Sequence, residues 1–228
     1  MRVYWKTFPK KWQKPLKNQF PTGSRVYKGF QGSGKTLSMV FYAFKIQEEY
    51  PDCLIYSNIK IKGLKNYTYF NDDKGLFEAL ETRNGGAGVL VLLDEAHLYF
   101  SKKSGIPLDV LTAISQQRKD RRRIVFSSQI WEELDISLRK QVKEIVTCCT
   151  YFGKFQFNVI SDGESLTYDK LASEYVAKKI RTEIFKHTQE LYNSYDTCQK
   201  IISNSNYSRD YNSNQHFSIY SINRIPKK

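Results

Sequence analysis

From residue 25 to about residue 160 the chain alternates short apolar runs, rich in β-branched and aromatic residues, with longer helix-compatible stretches. The runs are Val26-Tyr27, Cys53-Leu54-Ile55-Tyr56, Val89-Leu90-Val91-Leu92-Leu93, Ile124-Val125-Phe126 and Ile145-Val146-Thr147-Cys148. Strands separated by helices pair side by side only through crossovers, so the pattern predicts an α/β fold with a mainly parallel sheet flanked by helices. A late β-hairpin is expected where Thr150-Tyr151-Phe152 and Phe155-Gln156-Phe157-Asn158-Val159 flank Gly153-Lys154. Residues 168–193 read as mostly helical and amphipathic, and from residue 203 the chain is polar and rich in Asn, Ser and Tyr. The expected organisation is an N-terminal arm over 1–24, a core over 25–165, a helical C-terminal extension over 166–202 and a loosely ordered tail over 203–228.

Charge changes the picture most at the N-terminus. The 228 residues carry a formal net charge of +13, and no Asp or Glu precedes Glu48. With an isoelectric point near 9.5 the protein is expected to be drawn to polyanions, nucleic acid first and an anionic membrane second. In the arm, Trp5, Phe8, Trp12 and Phe20 alternate with Lys6, Lys10, Lys11, Lys14 and Lys17, and Pro9, Pro15 and Pro21 keep it extended. Such aromatics either stack on bases while the lysines meet phosphates, or pin the arm to its own or a neighbouring subunit. A length of 228 residues suits one α/β domain with appendages. No apolar run approaches the roughly twenty residues needed to cross a bilayer, and the basic N-terminus lacks the apolar stretch of a secretory signal, so a soluble protein is expected. Cys53, Cys148, Cys149 and Cys198 show no metal-ligand spacing and are expected to be reduced and buried. His187 and His216 are isolated and point to no metal site.

The chemistry concentrates in Gly29-Phe30-Gln31-Gly32-Ser33-Gly34-Lys35-Thr36, which satisfies the P-loop pattern at every constrained position. It stands between the short extended Arg25-Val26-Tyr27-Lys28 and a helical stretch over 37–46, the context the motif requires. Glycines let backbone N–H groups turn towards a β-phosphate, Lys35 reaches the β- and γ-phosphates, and the Thr36 hydroxyl ligates Mg²⁺. Gly29, Gly32, Ser33, Gly34, Lys35, Thr36 and Leu37 are therefore the candidate ATP-binding set. Val89–Leu93 ends in Asp94-Glu95, as a Walker B strand does. Asp94 is expected to join Thr36 in the Mg²⁺ shell, and Glu95 to activate the attacking water. Gln129, at the exit of the Ile124-Val125-Phe126 strand, is the candidate γ-phosphate sensor. The cationic cluster over 116–123 is expected to stay exposed, with Arg118 and Arg122 both open as an arginine finger for a neighbouring subunit and the other cations free for DNA phosphates. His97 is read as a packing residue.

With these residues in place, the core over about 25–150 resembles the FtsK/HerA superfamily of DNA-pumping P-loop ATPases, which implies a RecA/FtsK-like sheet. Within that superfamily, Ser57-Asn58-Ile59-Lys60 looks like the Asn-Ile segment of the zonular-occludens-toxin-like (Zot-like) phage ATPases. The resemblance implies a homo-oligomeric ring, often a hexamer, with ATP between subunits and DNA in the channel. Zot-like proteins usually carry a membrane segment after the ATPase domain, whereas this chain is polar there. That departure favours a viral genome-packaging ATPase over a membrane-anchored assembly ATPase. The packaging reading implies duplex rather than single-stranded DNA, a capsid vertex or portal-like partner, and a place in the host cytoplasm or on the virion. A nucleotide-gated switch that holds nucleic acid or a capsid protein is the alternative outside motor chemistry, and Glu95 weighs against it.

Overall fold

The structure, a computed structural model, describes residues 19–100, 106–129, 131–169 and 174–196. Most of the N-terminal arm, Cys198, His216 and the polar tail lie outside these residues. Ten strands are described: β1 (Gly23–Lys28), β2 (Leu54–Ser57), β3 (Tyr67–Tyr69), β4 (Val89–Leu93), β5 (Arg122–Ser128), β6 (Val142–Tyr151), β7 (Phe155–Asp162), β8 (Thr167–Asp169), β9 (Glu174–Val176) and β10 (Lys179–Lys186). The helices are α1 (Lys35–Glu49), α2 (Asp73–Glu81), α3 (Leu108–Ser115), α4 (Ile136–Lys140) and α5 (Gln189–Asn193).

Eight strands form one sheet in the order β10-β7-β6-β1-β5-β4-β2-β3. Pairing is parallel from β6 through β3, while β6–β7 and β7–β10 are antiparallel. The central strand β4 is apolar and buried on both faces, as a strand covered on both sides requires. Leu90 and Leu92 of β4 join Val125, Val146 and the α1 residues Met39, Val40 and Ala43 on one face. Val89, Val91 and Leu93 meet Phe126, the α2 residues Leu76 and Leu80, and Val110 and Ile114 of α3 on the other. Asp72 caps α2 through the Gly75 amide at 2.8 Å, and Asp135 caps α4 through the Ser137 amide at 2.7 Å. By contrast α1 starts at Gly34, which has no side chain to cap it and a left-handed φ of 83°. Its first amides are left for another partner.

The expected hairpin is present, turning at 152–154 with Tyr151 opposite Phe155. The helical reading of 168–193 is overturned: its described residues hold parts of β8, all of β9 and β10, and only the short α5. β10 binds the open edge of β7 along its length, so this segment belongs to the main sheet. Where the arm is described, Phe20 is buried against Gly88 and edge-on to Tyr50, with ring centroids 5.2 Å apart. This aromatic pins the arm to its own subunit. Cys53 and Cys148 are buried, but Cys149 is exposed, because alternate residues of β6 face outward.

The cationic cluster also departs from expectation, because Arg122 and Arg123 lie inside β5. Arg123 and Arg25 of β1 converge on Glu144 of β6, Arg25 at 2.8 and 2.9 Å, with the Arg25 guanidinium 4.2 Å from the centre of the Tyr42 ring. Burial alone would raise the Glu144 carboxyl, but the Arg123 and Arg25 charges outweigh it and hold the group well below the usual carboxylate range.

Candidate active site

Because β2, β4, β5, β1 and β6 run parallel, their carboxyl ends lie at one end of the sheet, where the loops that follow them meet. β1 delivers the glycine loop, β4 delivers Asp94 and Glu95, and β5, between them, delivers Ser127 to Gln129. A cavity of about 480 Å³ opens there, lined by Gly32, Lys35, Thr36, Asp94, Glu95 and Gln129 among others.

In the loop, the buried Lys35 ammonium donates to the Gly29 and Phe30 carbonyls at 3.1 and 3.0 Å, folded along the curve its phosphates would occupy. Thr36 Oγ1 donates to Asp94 Oδ2 at 2.9 Å, and Ser127 Oγ donates to Asp94 Oδ1. Burial pushes the Asp94 carboxyl up, and the Ser127 and Thr36 hydrogen bonds oppose that shift only in part. Asn58, at the exit of β2, clamps the Asp94 backbone: its amide donates to Asp94 O at 2.9 Å, and Asp94 N–H donates to Asn58 Oδ1 at 2.7 Å. The next residue, Glu95, takes a left-handed φ of 52°. Its Oε1 accepts from Gln129 Nε2 at 2.9 Å, and His97 Nδ1 lies 3.3 Å from Oε2. The acid after the strand thus lines the same cavity but is held by Gln129 rather than by the Thr36–Asp94 pair. An uncapped helix start, a lysine lying along the loop and a half-buried Thr36 bonded to a buried Asp94 fit a Mg²⁺-bound nucleoside triphosphate.

The two arginine candidates part company. Arg118 is exposed, whereas Arg122 is buried, donates to Thr82 O at 2.9 Å and faces Asp120 at 3.4 Å. A side chain enclosed by its own subunit is unavailable to a neighbour, so Arg122 is withdrawn as a finger. Leu37 and Gly34 also line the cavity.

Several residues at the site were not identified from the sequence. Gln156 and Asn158 of β7 are fully buried while Phe155 and Phe157 face outward, the reverse of the usual apolar-inward alternation. Gln156 Nε2 donates to the Ser33 carbonyl at 3.0 Å and Thr150 Oγ1 to the same carbonyl at 3.2 Å, fixing the loop from below. A Cβ at Gly34 would overlap Gln156, so the loop can lie on this support only with glycine there. The segment after β10 runs as a strap over α1: His187 N–H donates to Lys154 O at 2.8 Å beside the hairpin, and Lys62 N–H donates to Ser194 O at 2.6 Å beyond β2. Polar residues on the period-two inward face of β7 were the one signal in the sequence for any of this.

No protein-family model matches the chain, and no curated protein matches it in sequence. Solved structures do match its fold. The N-terminal domain of zonular occludens toxin from Neisseria meningitidis aligns with a TM-score of 0.53 at 22% identity, over 76% of this chain and 98% of that one. The genome packaging NTPase B204 from Sulfolobus turreted icosahedral virus 2, in complex with ATP-gammaS, aligns with a TM-score of 0.50 at 13% identity, over 70% of this chain and 98% of that one. Its sulfate complex gives 0.51 at 15% identity, over 70% and 96%. At these identities the likeness is one of fold, and the fold is that of a P-loop NTPase.

Proposed function

We propose that the protein is an ATP-driven DNA translocase, a genome-packaging motor that hydrolyses MgATP between the subunits of a homo-oligomeric ring. The observation that carries the reading is the 2.9 Å bond between Thr36 and Asp94 at the start of the uncapped α1, with Glu95 turned into the same cavity. Binding draws the Lys35 ammonium off the Gly29 and Phe30 carbonyls towards the β- and γ-phosphates, and the free amides at the start of α1 take up phosphate charge. Thr36 and Asp94 hold Mg²⁺, which when bound neutralises charge on the phosphate oxygens. Glu95 leaves Gln129 and accepts the proton of the attacking water. Gln129, released from the carboxylate, turns to the γ-phosphate as its sensor. Arg118 of a neighbouring subunit completes the site, and such fingers supply ~10³–10⁵ in rate in other phosphoryl-transfer systems.

The net charge of +13 supports DNA as the polymer that is moved. B204 is a genome packaging NTPase, and its full-length alignment supports the same role here, at a capsid vertex or portal-like protein, in the host cytoplasm or on the virion. Among the described residues no helix is long and apolar enough to cross a membrane. A Zot-like phage assembly or secretion ATPase is the second reading, favoured by the higher identity and coverage of the zonular occludens toxin domain.

The test is steady-state ATP hydrolysis during titration with duplex and single-stranded DNA at fixed salt, with Glu95→Gln as the blank. Stimulation by duplex DNA is expected. Preference for single strands selects the assembly ATPase, and negligible turnover with either DNA and with capsid protein selects a nucleotide-gated switch.

A further inference from the structure

The far wall of the cavity differs in chemistry from the phosphate end. It is built from Leu37 and Ile59, both buried, and from His187, Tyr192 and Tyr195 of the strap. Lys35 is the only Lys or Arg among the described lining residues, and it belongs to the glycine loop. Asp196 adds negative charge at the strap end. That end is therefore unsuited to a second phosphate and offers ring faces and apolar surface instead.

The rings are held in place. Tyr192 stands edge-on to His187, with centroids 5.6 Å apart and planes at 85°, and its hydroxyl lies 2.7 Å from His187 Nδ1. His187 Nε2 lies 3.2 Å from Gln156 Oε1, an acceptor, so Nε2 carries a proton, and in the neutral imidazole Nδ1 accepts from the Tyr192 hydroxyl. Burial lowers the His187 pKa, which favours that neutral form. Gln156 passes the line on to the Ser33 carbonyl of the loop. Tyr195 is fixed independently, through its bridge to Ile61. A half-exposed ring in a set position beside the loop is a preformed stacking surface.

We infer that the strap is the nucleobase seat of the site: Tyr192, oriented by His187, stacks on a purine base while Leu37, Ile59 and Tyr195 enclose its edge. This rests on the nucleotide-binding reading above and adds to it the part of the ligand that a P-loop does not grip. Because the Tyr192–His187–Gln156–Ser33 line ends on the loop, seating the base also steadies the loop that holds the phosphates.

The experiment compares ATP with inorganic tripolyphosphate, each with Mg²⁺, by calorimetric titration of the full chain, wild type and Tyr192→Ala. The seat predicts that Tyr192→Ala weakens ATP about tenfold or more, the loss of one aromatic–base stack, and leaves tripolyphosphate within about twofold. His187→Ala is expected to weaken ATP in the same sense, by freeing the Tyr192 ring. Equal weakening of both ligands, or of neither, overturns the seat while leaving the nucleotide reading intact. Failure of the wild type to bind either ligand overturns both.

Discussion

Asp94 is held through its side chain by Thr36 and Ser127 and through its backbone by Asn58, so the acid that would face a metal is fixed before any ligand arrives. Removing the Asn58 amide leaves a buried N–H and C=O unpaired, which costs about 1–3 kcal/mol per group. Asn58→Ala is therefore expected to lower unfolding stability by about 2–6 kcal/mol for the two groups in urea denaturation, with a loss of Mg²⁺-dependent ATP affinity. Glu95 carries a different expectation, because it lies outside this clamp and touches Gln129. Glu95→Gln should bind MgATP with near wild-type affinity and lose about 10²–10⁴ in turnover, measured by nucleotide titration and phosphate release. Unchanged turnover would remove Glu95 as the base. Lys35→Ala should lose both binding and turnover.

Within an element, position along the strand decides what a polar residue does. In β7 the inward positions carry Gln156 and Asn158, which support the glycine loop, while at the amino end of β6 Glu144 joins Arg25 and Arg123 between three strands. The Glu144 carboxyl has its folded pKa depressed below its unfolded value. Its stabilisation is therefore complete above the ordinary glutamate range near pH ~4.3 and is lost as pH falls through the lower folded value. Glu144→Gln leaves two buried guanidinium groups without their carboxylate, and should cost about 3–5 kcal/mol at neutral pH. The gap to wild type should narrow on acidification, as read from denaturation midpoints across pH; a gap independent of pH would contradict the assignment. The strand β10 carries a separate lesson. Lys179–Lys186 has the Lys, Arg and Glu content of a helix, yet the open edge of β7 supplies a full row of backbone partners, and tertiary hydrogen bonding overrides local propensity.

For the whole molecule, one subunit places its phosphate-binding loop, its paired acids and its strap around one cavity, and the described lining holds no arginine. In the ring proposed above, Arg118 would come from the next subunit, and hydrolysis would then be a property of the assembly. Arg118→Ala is expected to keep ATP binding and lose most turnover, and mixing it with Glu95→Gln should restore measurable hydrolysis at interfaces that pair an intact Glu95 with an intact Arg118. Absence of restoration in a co-assembled ring would show that Arg118 does not act across the interface. The alternating strand and helix pattern, the glycine loop, the strand ending in Asp94-Glu95 and the late hairpin are all legible in the sequence, because each signal is local: periodicity, a contiguous motif or a turn. The burial of Arg122 and Arg123, the strand over 179–186, the Asn58 clamp on Asp94 and the meeting of His187 and Tyr192 with the loop through Gln156 all depend on the folded sheet. Those pairs lie 31 to 123 residues apart in the chain wherever they join the hairpin or strap to the site, and nothing local encodes such a contact. Which face a residue presents and which edge stays open for pairing are properties of the assembled sheet, fixed only when all its strands are in register.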